Sequence, residues 1–199
     1  MSEHYYSRTQ KVESNPKFWD FTLRKHVFSF KTDNGVFSKR EVDFGSRILI
    51  ESFIMPEVEG SVLDVGCGYG PIGLSIAKEF SDRIVHMVDV NERAIELAKE
   101  NASLNKITNV DIYESDRLLN VKGDTFAAIL TNPPIRAGKQ TVHDIFEQSY
   151  EHLVSNGELW IVIQKKQGAP SAIEKLKTLF SDVETVYKSK GYFIIKAIK

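Results

Sequence analysis

Cysteine is almost missing from this chain: among 199 residues there is one, Cys67. A lone thiol excludes an internal disulfide framework and a cysteine-cluster metal site, and a reducing cytoplasm is the compartment expected. Long apolar runs are missing too. No stretch is long enough to span a bilayer, and the polar start MSEHYYSRTQ has no apolar signal-peptide core, so no membrane partner is expected. The histidines show no ligand spacing, and no metal site is expected. Nor does either charge dominate: a net charge of −1 argues against simple coating of a polyanion. No internal repeat or low-complexity tract is evident. The length fits one domain with a small extension, read here as an N-terminal arm and β-hairpin over residues 1–40 ahead of a domain over 41–199.

The near-neutral total hides an uneven distribution. Residues 1–47 carry a net +3, residues 48–163 a net −9 and residues 164–199 a net +5. An acidic centre with basic flanks suits a catalytic middle with phosphate-contacting ends, though lysines that merely solvate the ends give the same pattern.

What the chain does have is a regular beat. Apolar strands at 61–65, 83–88, 109–114, 126–131 and 158–164 alternate with helical patterns at 72–80, 92–105, 142–153 and 170–180. Asn91 is a natural N-cap, and Asn156-Gly157 reads as a helix stop. Two closing strands, 183–188 and 192–198, are joined too tightly for a crossover, so the last should run antiparallel. The expected fold is an α/β Rossmann-like three-layer sandwich with a seven-stranded, mostly parallel sheet. Ahead of it, Asp33-Asn34-Gly35 is a strong turn signal and predicts a hairpin over 22–38, followed by a helix near 44–55.

Chemistry enters at the strand ends. VLDVGCGYGPIG, residues 62–73, breaks from strand into Gly66, Gly68, Gly70 and Gly73 and then opens a helix, so a ligand can approach the backbone without Cβ interference. Gly68-x-Gly70-x-x-Gly73 also satisfies the dinucleotide fingerprint, which keeps an oxidoreductase open. Asp64, inside the strand, points instead to a cationic or amine-bearing ligand. Asp89 ends the next strand 23 residues beyond Gly66, near the spacing of a carboxylate on a ribose diol. Ser115-Asp116 ends the third and suits an adenine amino group, or ordinary turn chemistry.

Most unusual is Asn132-Pro133-Pro134-Ile135. Two prolines donate no backbone N–H, so this corner offers acceptors only, and an oxygen-only site suits a substrate that brings N–H groups. Asn132 and the Pro133 carbonyl can accept both protons of a planar exocyclic amine and hold its nitrogen for attack. In a parallel sheet Gly66, Asp89, Asp116, Asn132 and Gln164 all reach the carboxyl edge.

Together these motifs resemble the class I S-adenosylmethionine-dependent methyltransferases with an Asn-Pro-Pro corner. GVFS (35–38), DFGSRILIE (43–51), NPPIRAGK (132–139) and IQKKQGA (163–169) further resemble the catalytic domain of the small-subunit ribosomal RNA guanine-N2 methyltransferase family. The resemblance implies S-adenosylmethionine as cofactor, held by Asp64, Gly66, Cys67, Gly68, Gly70, Asp89, Val90, Asp116 and Asn132. It implies a target base at Asn132, Pro133, Pro134 and Ile135, and ribosomal RNA or an assembled small subunit as partner, in a cytoplasmic monomer or weak homodimer. Many amino-methyltransferases place an aromatic ring where this chain has Ile135, so stacking must come from Phe37, Tyr69 or Trp19. Arg136, Lys139, Lys165 and Lys166 flank the pocket as phosphate contacts or as solvated loops. Tyr5, Tyr6, Arg8, Trp19, Arg24 and Lys25 are placed to grip RNA or to pack on the core. Protein glutamine and nucleic-acid adenine remain alternative substrates for the same corner.

Overall fold

The computed structural model describes residue 8 and residues 12–38, 41–123 and 125–199; Tyr5 and Tyr6 lie outside them. A hairpin of β1 (Lys17–Leu23) and β2 (His26–Thr32) leads to α1 (Phe44–Ser52). There follow β3 (Ser61–Val65), α2 (Pro71–Glu79), β4 (Val85–Asp89), α3 (Glu92–Leu104), β5 (Val110–Glu114) and β6 (Phe126–Thr131). The chain closes with α4 (Lys139–His152), β7 (Leu153–Gln164), α5 (Ala169–Lys177), β8 (Asp182–Ser189) and β9 (Tyr192–Ile198).

The main sheet has seven strands in the order β5-β4-β3-β6-β7-β9-β8. β3 to β7 pair in parallel, and β9 runs antiparallel to both its neighbours, as the tight β8–β9 connection requires. Successive strand residues face opposite helix layers. On β7, Trp160 and Val162 join the apolar cluster beneath α1, α2, α3 and the hairpin, while Leu159, Ile161 and Ile163 join the cluster beneath α4 and α5. Strand order reverses between β3 and β6, and the crevice outside such a switch point is where open parallel sheets bind ligands.

Two local expectations need correction. The hairpin spans residues 17–32 and turns at Arg24-Lys25, not at Asp33-Asn34-Gly35. Both turn residues take positive φ (46° and 65°), the geometry whose twist matches a two-residue hairpin. Arg24 is held there by the chain beyond: its N–H donates to Glu51, and its guanidinium donates to the carbonyls of Ile50 and Phe53. Asp33 instead accepts from Ser14, Asn15 and Asn34 and ties together the segments before and after the hairpin. Asn156-Gly157 is no helix stop but a kink inside β7, where Asn156 takes φ 62° and both residues bond to Lys199. Of the residues offered for gripping RNA, Trp19 packs on Phe30 and Tyr69, and Arg8 pairs with Glu92 and Glu114.

Candidate active site

Four strand ends surround one cavity of about 410 Å³ at the carboxyl edge of the sheet. Gly66, Cys67 and Gly68 line it from β3, Asp89, Val90 and Asn91 from β4, Ser115 and Asp116 from β5, and Asn132, Pro133 and Pro134 from β6. Val36 and Phe37 approach from the segment after the hairpin, and Asp43 and Ser46 from the start of α1.

The glycine loop owes its shape to two different needs. Gly66 and Gly68 have φ of 75° and 57°, and a Cβ on either would project into open space, so here the loop leaves room for a ligand. Gly73 answers to packing: its Cβ would stand 2.6 Å from Met87 Cγ, so only glycine lets α2 lie this close to β4. Gly70 likewise serves the strand-to-helix turn, at φ 102°, and does not line the cavity.

Two carboxylates support this loop. Asp89 accepts the Gly68 N–H (2.9 Å) through one oxygen and the Asn91 N–H (2.9 Å) through the other. Burial raises its pKa, and the backbone donors of Asn91, Gly68 and Val90 oppose the rise. Three backbone donors on its two oxygens leave one acceptor site for a ligand hydroxyl. Asp64 lies beneath the loop and does not line the cavity. Its Oδ2 accepts the Gly73 N–H at 2.8 Å, while buried Oδ1 has no partner. Burial lifts this carboxyl to about 7 against the Gly73 hydrogen bond, with the Asp89 charge adding to the rise. Burial, followed by the Asp89 and Asp64 charges, pushes the Cys67 thiol well above its usual pKa, so it sits in the wall as a small neutral group.

At the opposite wall the Asn132 carboxamide is oriented by α1. Its Nδ2 donates to Asp43 Oδ2 (3.2 Å) and Ser46 Oγ (3.1 Å). That assigns both amide protons and leaves Oδ1 as an acceptor. The same Asp43 Oδ2 also caps α1 by accepting the Ser46 N–H. The Pro134 carbonyl is taken by the Ala137 N–H, so the Pro133 carbonyl is the corner's backbone acceptor.

Several residues singled out in the sequence lie elsewhere. Ile135 is half-buried in a 3-10 turn and packs against the core beneath α4 and α5. Arg136, Lys139, Lys165 and Lys166 are exposed outside the cavity wall. Of the three rings offered for stacking, Trp19 is outside the cavity, while Tyr69 reaches the cavity wall but is 2% exposed, buried edge-on against Phe30 and Trp19. Phe37 lines the cavity and is 47% exposed. Sequence reading missed the individual roles of Asp43 and Ser46, and of the two roles of Asn91 it gave the helix cap alone. Asn91 both caps α3 and donates to the Gly35 carbonyl, fixing the segment that carries Phe37. The one available signal was the DFGS string, whose Asp three residues ahead of a Ser reads as a helix cap.

Comparison with known proteins gives this arrangement a context. A family model described as "Methyltransferase small domain" matches residues 27–196. The Bacillus subtilis protein YbxB is 68% identical over the full length of both chains. Ribosomal RNA small subunit methyltransferase C of Vibrio parahaemolyticus is 32% identical over 92% of this chain and 53% of its own. The chain therefore spans about half the length of that methyltransferase. In fold it is similar to a T. thermophilus 16S rRNA N2 methyltransferase (RsmC) in complex with AdoMet and guanosine, with a TM-score of 0.83 at 21% identity, covering 96% of this chain and 52% of that one.

Proposed function

The chain belongs to the methyltransferase small domain family, and from that premise we propose that it methylates the exocyclic N2 amino group of a guanine in small-subunit ribosomal RNA, using S-adenosylmethionine. The observation that carries this reading is the Asn132 carboxamide, whose protons are committed to Asp43 and Ser46 so that Oδ1 is left to accept. With the Pro133 carbonyl it forms a pair of acceptors matched to an amine bearing two protons. A target hydroxyl would offer only one.

The donor set fits the cofactor. The open space above Gly66 and Gly68 takes a chain lying on the backbone, Asp89 takes a ribose diol, and Asp116 with Ser115 and Val90 takes the adenine. The unpaired Asp64 oxygen lies below the methionine end and, above about pH 7 where the carboxyl is ionised, adds negative potential beneath its ammonium. When bound, S-adenosylmethionine supplies a methyl group on a sulfonium. The protein's own work is positional: Asn132 and Pro133 accept the two N–H protons and hold the nitrogen lone pair in line with the methyl carbon. The methyl group would pass to that nitrogen with the C–S electron pair returning to sulfur, and the amine would lose one proton to water. Phe37 covers the face of the base, and Pro134 forms the floor. A base delivered from a helix must first leave its stack, at a cost of a few kcal/mol.

Labelled-methyl transfer to undermethylated small subunits and to naked RNA, followed by nucleoside analysis, tests the assignment. N2-methylguanosine is expected. Label in N6-methyladenosine or in protein glutamine would keep the methyltransferase and overturn the substrate.

A further inference from the structure

Beside the Asn132 corner the fold gathers cations from three distant parts of the sequence. Lys165 begins the turn after β7, and its N–H donates to the Gly191 carbonyl in the β8–β9 turn. In that turn Lys190 takes φ 47° and lies over the Phe44 ring, with Nζ 4.8 Å from its centroid. Arg47 covers the same ring from α1 at 5.2 Å, and Tyr192 packs on Phe44 at 5.5 Å. Tyr192 lies so near α1 that a Cβ on Gly45 would stand 2.9 Å from its ring. Phe44 follows Asp43 directly, so this cluster continues the wall that orients Asn132.

Its charge is unneutralised. Four lysines on other faces meet carboxylates: Lys31 with Glu100, Lys122 with Asp111, Lys175 with Glu147, Lys196 with Glu184. Among the described residues, no carboxylate pairs with Arg47, Lys165 or Lys190, and what sets these three apart is their convergence on one pair of rings. The neighbouring Asp43 faces inward, to Ser46 and Asn132. Surplus positive charge interleaved with aromatic rings, at the mouth of a cavity shaped for a base, matches a single nucleic-acid strand in both charge and stacking.

We propose that this face, formed by the α1 start and the turns after β7 and β8, is the track for the RNA strand flanking the target base; the proposal rests on the methyltransferase reading above. Lys165, Lys190 and Arg47 contact phosphates, while Phe44 and Tyr192 hold the cations in place and offer their edges to the strand.

The test is fluorescence anisotropy with a labelled single-stranded RNA oligonucleotide, titrated between about 50 and 200 mM NaCl. Wild type is compared with Arg47→Gln/Lys165→Gln/Lys190→Gln and with a variant altered on α2 and on and just after α3, Lys78→Gln/Lys99→Gln/Lys106→Gln. Loss of three phosphate contacts should lower affinity about tenfold or more and reduce the slope of log K against log salt by about 2, whereas the second variant should follow wild type. No RNA binding by wild type, an unchanged first variant, or equal losses in both variants would each overturn the proposal. Calorimetric titration of wild type with S-adenosylhomocysteine separates the two readings. Binding of that ligand with no effect of the face removes the track alone. Silence with the RNA effect intact removes the methyltransferase reading alone.

Discussion

The two walls of the cavity are built in different ways. The wall with Gly66, Gly68 and Asp89 is a matter of backbone: a loop following one strand, held by a carboxylate ending the next, with 21 residues separating the bonded pair. The wall with Asn132 is a matter of side chains, and its two hydrogen bonds join residues 89 and 86 positions apart. A wall made of backbone tolerates side-chain change wherever its turn is kept. A wall made of three side chains depends on all three. Under the proposed function, the first governs whether a ligand is held and the second whether it reacts.

Four changes would break or sharpen that contrast. The largest effect is expected beneath the glycine loop. Asp64 is 1% exposed and its pKa is raised to about 7. Between about pH 4 and 7 the folded protein then holds a proton that the unfolded chain has released, so stability falls as pH rises through that window, by about 4 kcal/mol in all. Urea midpoints at pH 5 and 7.5 should show this decline in wild type and a clearly smaller one in Asp64→Asn; parallel profiles would show that the carboxyl does not titrate there.

Next comes Asn132→Ala, which should reduce turnover about 10²- to 10³-fold while cofactor affinity stays within about twofold. Single-turnover rates and calorimetry measure the two separately, and equal losses would erase the distinction between the walls. Asp89→Ala should do the opposite, weakening S-adenosylhomocysteine binding about ten- to a hundredfold with little change in turnover at saturation. Smallest is the Asp43 pair. Asp43→Ala removes the α1 cap and one Asn132 partner, costing about 1 kcal/mol of stability and a few-fold in turnover. Asp43→Asn retains an oxygen that can serve both bonds and should recover most of each loss. Failure of Asn to rescue turnover while it rescues thermal stability would assign the carboxylate charge a role of its own.

The same contrast explains what could be read from the residues alone. The strand–helix beat, the antiparallel last strand and the cavity positions of Gly66, Asp89, Asp116 and Asn132 depend on local pattern or on parallel topology, and both are written in the sequence. Asp43 and Ser46 were visible only as a helix start, because what connects them to Asn132 is packing between elements far apart in the chain. The hairpin turn was misplaced for a related reason. Asp33-Asn34-Gly35 has the stronger local turn chemistry, but Arg24 gains three partners at the end of α1 and Asp33 gains three outside the hairpin. Ile135 was assigned to the base by its place in the motif, whereas the 3-10 turn rotates it into the core.

The position of β9 has a consequence for how the protein is born. β9 sits between β7 and β8, and β8 bonds to no other strand in the sheet. During synthesis β8 emerges first and finds no neighbour, leaving an unpaired edge along β7 until the following strand slides in between them. Residues 182–198 thus enter the sheet together, and the wall that Tyr192 props against Gly45 closes with them. A ribosome that stalls within this last hairpin releases a chain carrying a complete glycine loop and an unsupported Asn132 corner. Such a chain is a substrate for chaperones and proteases before it can be an enzyme.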